Sequence, residues 1–233
     1  MKNLLRKQSS VLTAIALCAA FLAGSVARLA GAADLVPLQL ELPKPKFEGT
    51  PTNLKVPNLE PARAGAGQRP PLMVPQGTEL LSLNKPVSGS DEEPIIGELE
   101  MVVDGDKEAT DGSYVELGPG LQYVQIDLEK TCEIYGILIW HFHSQARVYH
   151  DVVVKCASDP DFISDVKTIF NNDHDNSSGL GVGRDKAYIE TNEGKLIDAK
   201  GVKGRYVRLY SRGNTSNDLN HYTEVEIFGK PAE

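Results

Sequence analysis

The chain predicts an all-β fold, an antiparallel sandwich, on three observations. Its C-terminal part holds two alternating runs: residues 204–210 put Tyr206, Arg208 and Tyr210 on one face and Val207 and Leu209 on the other, and residues 223–228 set Val225 and Ile227 against Glu224 and Glu226. That period of two is the signature of a half-buried strand. Similar short runs recur upstream, separated by turn clusters such as Asp104-Gly105, Gly118-Pro119-Gly120, Asp159-Pro160 and Asn192-Glu193-Gly194. No long window carries a helical period, which leaves a sandwich or barrel as the economical architecture.

The expected strands are 122–128, 134–143, 150–157, 166–170, 187–191, 204–210 and 223–228. They fall in a domain of residues 78–230, large enough for one core. Two segments precede it. Residues 1–33 read as a signal peptide: Lys2, Arg6 and Lys7 open it, an apolar run from Val11 to Gly24 follows, and small residues around Ala27 or Ala32 suit cleavage. The apolar run is short for a membrane span of about 20 residues. Residues 34–77 hold nine of the 14 prolines and read as an extended arm, either a flexible stalk or, through the alternating Leu38, Leu40 and Leu42, a short edge strand.

Charge and cysteine usage exclude several functions. Residues 1–33 carry four basic and no acidic residues, so their removal takes the net charge from −8 to −12, 20 basic against 32 acidic. Such acidity disfavours nucleic acid and anionic membranes. After Cys18 leaves, only Cys132 and Cys156 remain, too few for a disulfide framework. A hairpin of 134–143 with 149–157 would set Cys132 opposite residue 160, out of bridging reach of Cys156, so two free thiols are expected.

Four segments, in order, resemble the discoidin or coagulation factor V/VIII type C family. Leu83-Asn84-Lys85-Pro86-Val87-Ser88 is similar to its opening "NLA-GKPV-S", and Val103-Asp104-Gly105-Asp106 to its "A-DGD" turn. Gln122 to Leu128 is similar to "QWIEIDLG", and residues 204–209 with 223–229 to "ARYVRL … EIEVYG". The resemblance covers residues 80–230. It implies a galactose-binding-like jelly roll of the carbohydrate-binding-module type. The chain departs from the pattern in the longer stretch 107–112 and in lacking the cysteines that join the domain ends in vertebrate members.

The resemblance also implies sites. Asp104, Asp106, Thr110, Asp111 and Glu224 would supply oxygens to a structural Ca²⁺, which takes about six to eight oxygen ligands in flexible geometry; a solvated acidic turn is the alternative. His141, His143, Arg147, Asn217, Asn220 and His221 would bind a glycan at loops on one end of the sandwich. Imidazole and amide groups both donate and accept, as sugar hydroxyls require. A buried polar network is the alternative there. The pair His141-x-His143, completed by His150, His174 or His221, is a further candidate as a transition-metal centre, and Asp173, Asp175 and Asn176 as a second cation site. No serine elbow or HExxH motif appears. The reading is a secreted or envelope-located noncatalytic module that recognises a glycan or glycoconjugate. The alternative is an envelope interaction module whose arm docks a partner protein, and the least favoured is a His-metal enzyme.

Overall fold

The computed structural model describes residues 34–47, 54–61 and 69–232. The expected signal peptide lies outside the described residues. The strands in chain order are β1 Leu35–Pro37, β2 Met73–Pro75, β3 Glu79–Leu80, β4 Val87–Gly89, β5 Val115–Leu117, β6 Gln122–Trp140, β7 Val153–Ala157, β8 Lys167–Asn171, β9 Lys195–Ser211, β10 Asn220–Tyr222 and β11 Glu224–Pro231. The main sheet runs β3-β11-β6-β9-β7-β8, with β4 on β6; β1-β2 and β5-β10 form two small ribbons. All strand pairs are antiparallel.

Strands β6 and β9 are longer than their sequence pattern suggests. Residues 122–128 and 134–140 join into one strand through an irregularity between Asp127 and Cys132. Arg205 pins that irregularity, donating from Nε to Asp127 Oδ1 at 2.6 Å and from a terminal nitrogen to Oδ2 at 2.7 Å. This two-pronged geometry is the strong form of an ion pair, and it holds the Asp127 carboxyl below its ordinary pKa. The two ends of the β6–β9 ribbon take different partners: β4 and β7 at one, β11 at the other. Val124, Ile126 and Leu128 from one half share a core with Ile134, Ile137 and Ile139 from the other, closed by Val207, Leu209, Val225 and Ile227.

The opposite face of the sheet is covered too. Leu138, Trp140 and Phe228 form a second apolar cluster, packed by Leu38, Leu40, Leu80 and Leu196. Leu38 and Leu40 belong to the proline-rich arm, so the described arm lies along the sandwich rather than standing clear of it as a stalk. Gly136 permits the approach: a Cβ there would come within 3.1 Å of Leu72 and 3.3 Å of Leu38. Polar contacts fix the rest. Asn192 donates to Pro43 O at 2.9 Å, Lys107 to Glu41 O at 3.1 Å, and Lys195 pairs with Glu60 at 2.7 Å. Trp140, the only tryptophan, has no exposed surface and donates its indole N–H to Asn192 O.

Three expectations are corrected. Residues 187–191 form no strand; Ala187 makes an isolated parallel bridge to Leu59 of the arm. Residues 150–152 belong to a loop, and β7 begins at Val153. Strands β6 and β7 are not a hairpin, because β9 lies between them. Cys132 and Cys156 are free, as expected, and buried, but for another reason: with β9 between β6 and β7 their backbones stand about two strand spacings apart, roughly 10 Å, beyond disulfide reach.

The arm therefore acts as part of the core. Truncating the half-buried Leu38 to Ala should lower stability by about 1–2 kcal/mol, a fraction of a full core truncation. Leu38→Asp should red-shift Trp140 emission. Urea melts followed by that fluorescence check both, and unchanged midpoint and emission would sink the assignment.

Candidate functional site

The loops at one end of the sheet are laced together before any side chain is considered. His150 N–H donates to Gly213 O, Arg212 N–H to His150 O and Thr215 N–H to Val148 O, each near 3.0 Å. The β5–β10 ribbon sets His221 opposite Glu116. This framework brings four of the six expected glycan residues into one region and leaves two as loop builders.

His141, His143, Arg147 and His221 are all buried. His141 donates from Nδ1 to Glu190 Oε1 at 2.6 Å and stacks on Tyr149 with ring centroids 4.3 Å apart. His143 donates from Nε2 to Lys107 O at 2.8 Å, and burial holds its pKa below the usual histidine value. His221 donates from Nε2 to Glu116 at 2.9 Å. Burial first, then the Arg147 and His141 charges, pushes its pKa down to about 4 despite that carboxylate. Arg147 lies 4.6 Å over the Phe142 ring, and Phe142 meets Tyr114 edge-on at 5.1 Å.

Many polar atoms here lack partners. Among the described residues His141 Nε2, His143 Nδ1, His221 Nδ1 and Arg147 Nε and Nη1 make no well-aligned hydrogen bond, while Arg147 donates from its other terminal nitrogen to Gln145 at 3.2 Å; the Tyr149 hydroxyl lies beside the Arg147 guanidinium and Glu190 beside Tyr188. Buried polar groups are nearly always paired, so these ring and guanidinium nitrogens mark out one polar layer under the loops. The three histidines lie beneath the surface. Phe142 and Tyr114 are half-buried and Gln145 is exposed, forming the part an incoming molecule can touch.

Asn220 and Asn217 correct the expectation. Asn220 accepts from Ser211 Oγ and Gly213 N–H and donates to Gly118 O and Gly120 O. An amide has four such capacities, and all four are spent inside the protein. Asn217 is exposed, but its Oδ1 accepts from Asn214 and from Leu219 N–H. Sequence reasoning overlooked Phe142, Tyr114, Tyr149 and Glu190 as members of this region. Glu190, 49 residues from His141, gave no local signal.

The expected cation residues are only partly assembled. Glu224 is 1% exposed; its Oε2 accepts the Gly105 N–H at 3.1 Å, and its Oε1 has no partner among the described residues. Burial, with Asp104 and Glu226 adding repulsion, pushes its carboxyl up to about 9. A buried carboxylate with an open oxygen beside Asp104 suits a hard cation. Asp106 instead accepts the Glu108 N–H, Thr110 pairs with Ser113, and Asp111 is exposed. Glu226, buried beside Glu224, pairs with Lys107 at 2.5 Å. Among the described residues, the one compact group of metal-ligating side chains is Asp151, Asp173 and Asp175, an acidic cluster that could hold a metal ion. Asn176 is spent on the Gly181 N–H. The group contains no histidine, so the His-metal centre is not assembled there.

No protein-family model matches the sequence, and no curated protein matches it. Solved structures similar to the chain include the CBM32 of AlyQ in complex with 4,5-unsaturated mannuronic acid, at 18% identity and TM-score 0.48 over 64% of this chain and 98% of that one. A Streptococcus pneumoniae fucose binding module, SpX-3, is similar at 18% identity and TM-score 0.46 over 64% and 96%. A family 89 glycoside hydrolase from Clostridium perfringens is similar at 18% identity and TM-score 0.48 over 66% of this chain, which spans only 15% of the hydrolase.

Glu224 gives a pH signature. Its folded pKa of about 9 lies above the ordinary 4.5, so between those values the folded state holds more protons than the unfolded one. With chelator present, stability from this group should fall as pH rises through that window. Glu224→Gln should flatten that part of the profile. Thermal melts of the two proteins across the window give the comparison, and identical slopes would refute it.

Proposed function

We propose that the chain is a noncatalytic carbohydrate-binding module acting outside the cytoplasm. The observation that carries this is the pair of half-buried rings, Phe142 and Tyr114, that meet edge-on beside Arg147 and the exposed Gln145, over a layer of buried polar groups. A sugar hydroxyl both donates and accepts, which suits the exposed Gln145 amide on the same loop. The ring C–H face of a sugar stacks on an aromatic side chain, and Phe142 and Tyr114 offer two such rings, Phe142 with the Arg147 guanidinium over one face. Arg147 and the rings make contact; His141, His143 and His221 back them from beneath and fix their orientation. Export rests on residues 1–33, whose basic start and apolar run suit a signal peptide.

A structural Ca²⁺ belongs to the same proposal. Glu224 and Asp104 would hold it, the open Glu224 oxygen being the support for the assignment. The ion would neutralise the buried charge and tie β11 to the Asp104 turn. The residues around it already shape the turn, since Asp104 accepts the Asp106 N–H at 2.8 Å.

Glycan arrays followed by calorimetry on the full chain test the binding reading. Arg147→Ala should weaken the best ligand about tenfold or more, the cost of a charge-assisted hydrogen bond, and Asn217→Ala should leave it unchanged. An array with no bound glycan, or unaltered affinity in Arg147→Ala, would overturn it. Millimolar Ca²⁺ should raise the melting temperature of the wild type and leave Glu224→Gln unmoved; a melting temperature indifferent to Ca²⁺ would remove the ion.

A further inference from the structure

Arg208 and Lys155 meet on the face of the central strands turned away from the core. In the strand register Arg208 stands opposite Gln125 of β6 on one side and Lys155 of β7 on the other, and Thr168 of β8 stands opposite Lys155. Directly opposed residues share a face, and Val207 and Leu209, on either side of Arg208, point the other way into the core. Two cations therefore lie next to each other in one cross-strand row, flanked by neutral Gln125 and Thr168. Like charges so placed repel and destabilise a sheet.

Neither charge is answered among the described residues, on two independent observations. Arg208 is held in place: its Cζ lies 4.3 Å from the Tyr123 ring centroid and 4.2 Å from that of Phe162. Its Nε donates to Gln125 Oε1 at 2.7 Å, Nη1 to the Tyr210 hydroxyl at 3.3 Å and Nη2 to Pro160 O at 2.9 Å. All three acceptors are neutral, and two of the five N–H groups of a guanidinium remain. Lys155 is the one half-buried lysine among the described residues without an acceptor; Lys85, Lys107, Lys167, Lys195 and Lys230 each have one. Its Nζ lies 5.9 Å over the ring of Tyr210, the tyrosine whose hydroxyl takes Arg208. Burial, and then the Arg208 charge, hold its ammonium below the ordinary lysine pKa. Neighbouring acids are committed elsewhere. Asp127 is forked by Arg205, Asp165 lies 3.4 Å from Lys167, and Asp159 accepts the Asp161, Ile163 and Ser164 N–H groups.

We propose that Lys155 and Arg208 bind a phosphate group as its dianion, the Lys155 ammonium and the remaining Arg208 N–H groups donating to its oxygens. Two adjacent positive charges match a doubly negative group better than a singly charged carboxylate, and phosphate brings three strong acceptor oxygens. Free phosphate and a phosphate monoester on a larger molecule present the same chemistry to the two cations. The site shares no residue with the Arg147 loops and does not rest on the carbohydrate reading.

The test is calorimetry and thermal melting of the full chain at constant ionic strength and about pH 8, above the second phosphate pKa. Inorganic phosphate should bind saturably and raise the melting temperature relative to chloride. Acetate, with one charge, should bind at least about tenfold more weakly. Lys155→Met should weaken phosphate about tenfold or more, and Lys155→Arg should keep it. Gln125→Glu sets a carboxylate beside Arg208 within the protein, so it should raise the melting temperature in chloride and abolish the response to phosphate. Glucose 6-phosphate against glucose distinguishes the source. Tighter binding than inorganic phosphate marks a monoester, affinity no greater marks the free anion, and either result supports the site. No saturable phosphate binding, acetate equal to phosphate, or unaltered binding in Lys155→Met or Gln125→Glu would overturn the proposal. Arg147→Ala separates the two sites, since phosphate binding should survive it whether or not glycan binding does.

Discussion

The β6–β9 pairing is the constraint on which the rest depends. Two strands of 19 and 17 residues run antiparallel past an irregularity, with the Asp127–Arg205 fork at its edge. Because the ribbon is continuous, strands bound to its two ends contribute to a single core. The same ribbon presents Trp140 and Leu138 on its far side, and those residues give the arm its seat. Its end at Trp140 launches the loop with His141, Phe142, His143 and Arg147. Core, arm and loop end are therefore consequences of one pairing.

Alternation made part of this legible. It placed Val207 and Leu209 opposite Tyr206, Arg208 and Tyr210, and Val225 and Ile227 opposite Glu224 and Glu226, and the four aliphatic residues enter the core. Alternation reports which face a residue shares, not what covers that face. Glu224 and Glu226 are buried although their pattern reads as solvated. The Asp104–Gly105 turn meets Glu224 and Lys107 meets Glu226, tertiary contacts that no period announces. The first half of β9 also escaped notice. Asp198, Lys200 and Gly201 are turn-forming in composition, and Lys200 and Gly201 do adopt positive φ, yet the strand continues through them.

The candidate site was legible in residue type and not in availability. Histidine, arginine and asparagine at one end of a sandwich can serve recognition or brace loops, and only partner lists divide the two. Asn220 had the same sequence credentials as Arg147. The structure saturates one and leaves the other with open N–H groups. Glu190 shows the converse, since a residue far along the chain becomes the partner that fixes His141. No local pattern carries a contact made by tertiary folding.

The strand that separates Cys132 from Cys156 has a consequence for how this protein can be followed in solution. Each thiol is buried, and burial pushes Cys156 up to about 11, so little thiolate exists at neutral pH. With β9 between them, the folded chain has no bridge to gain or lose, and oxidant and reductant act on the same conformation. Reactivity appears only when the central strands part. Alkylation of these two side chains thus serves as an internal clock for opening of the whole sheet, blind to fraying of the arm or movement of the binding loops.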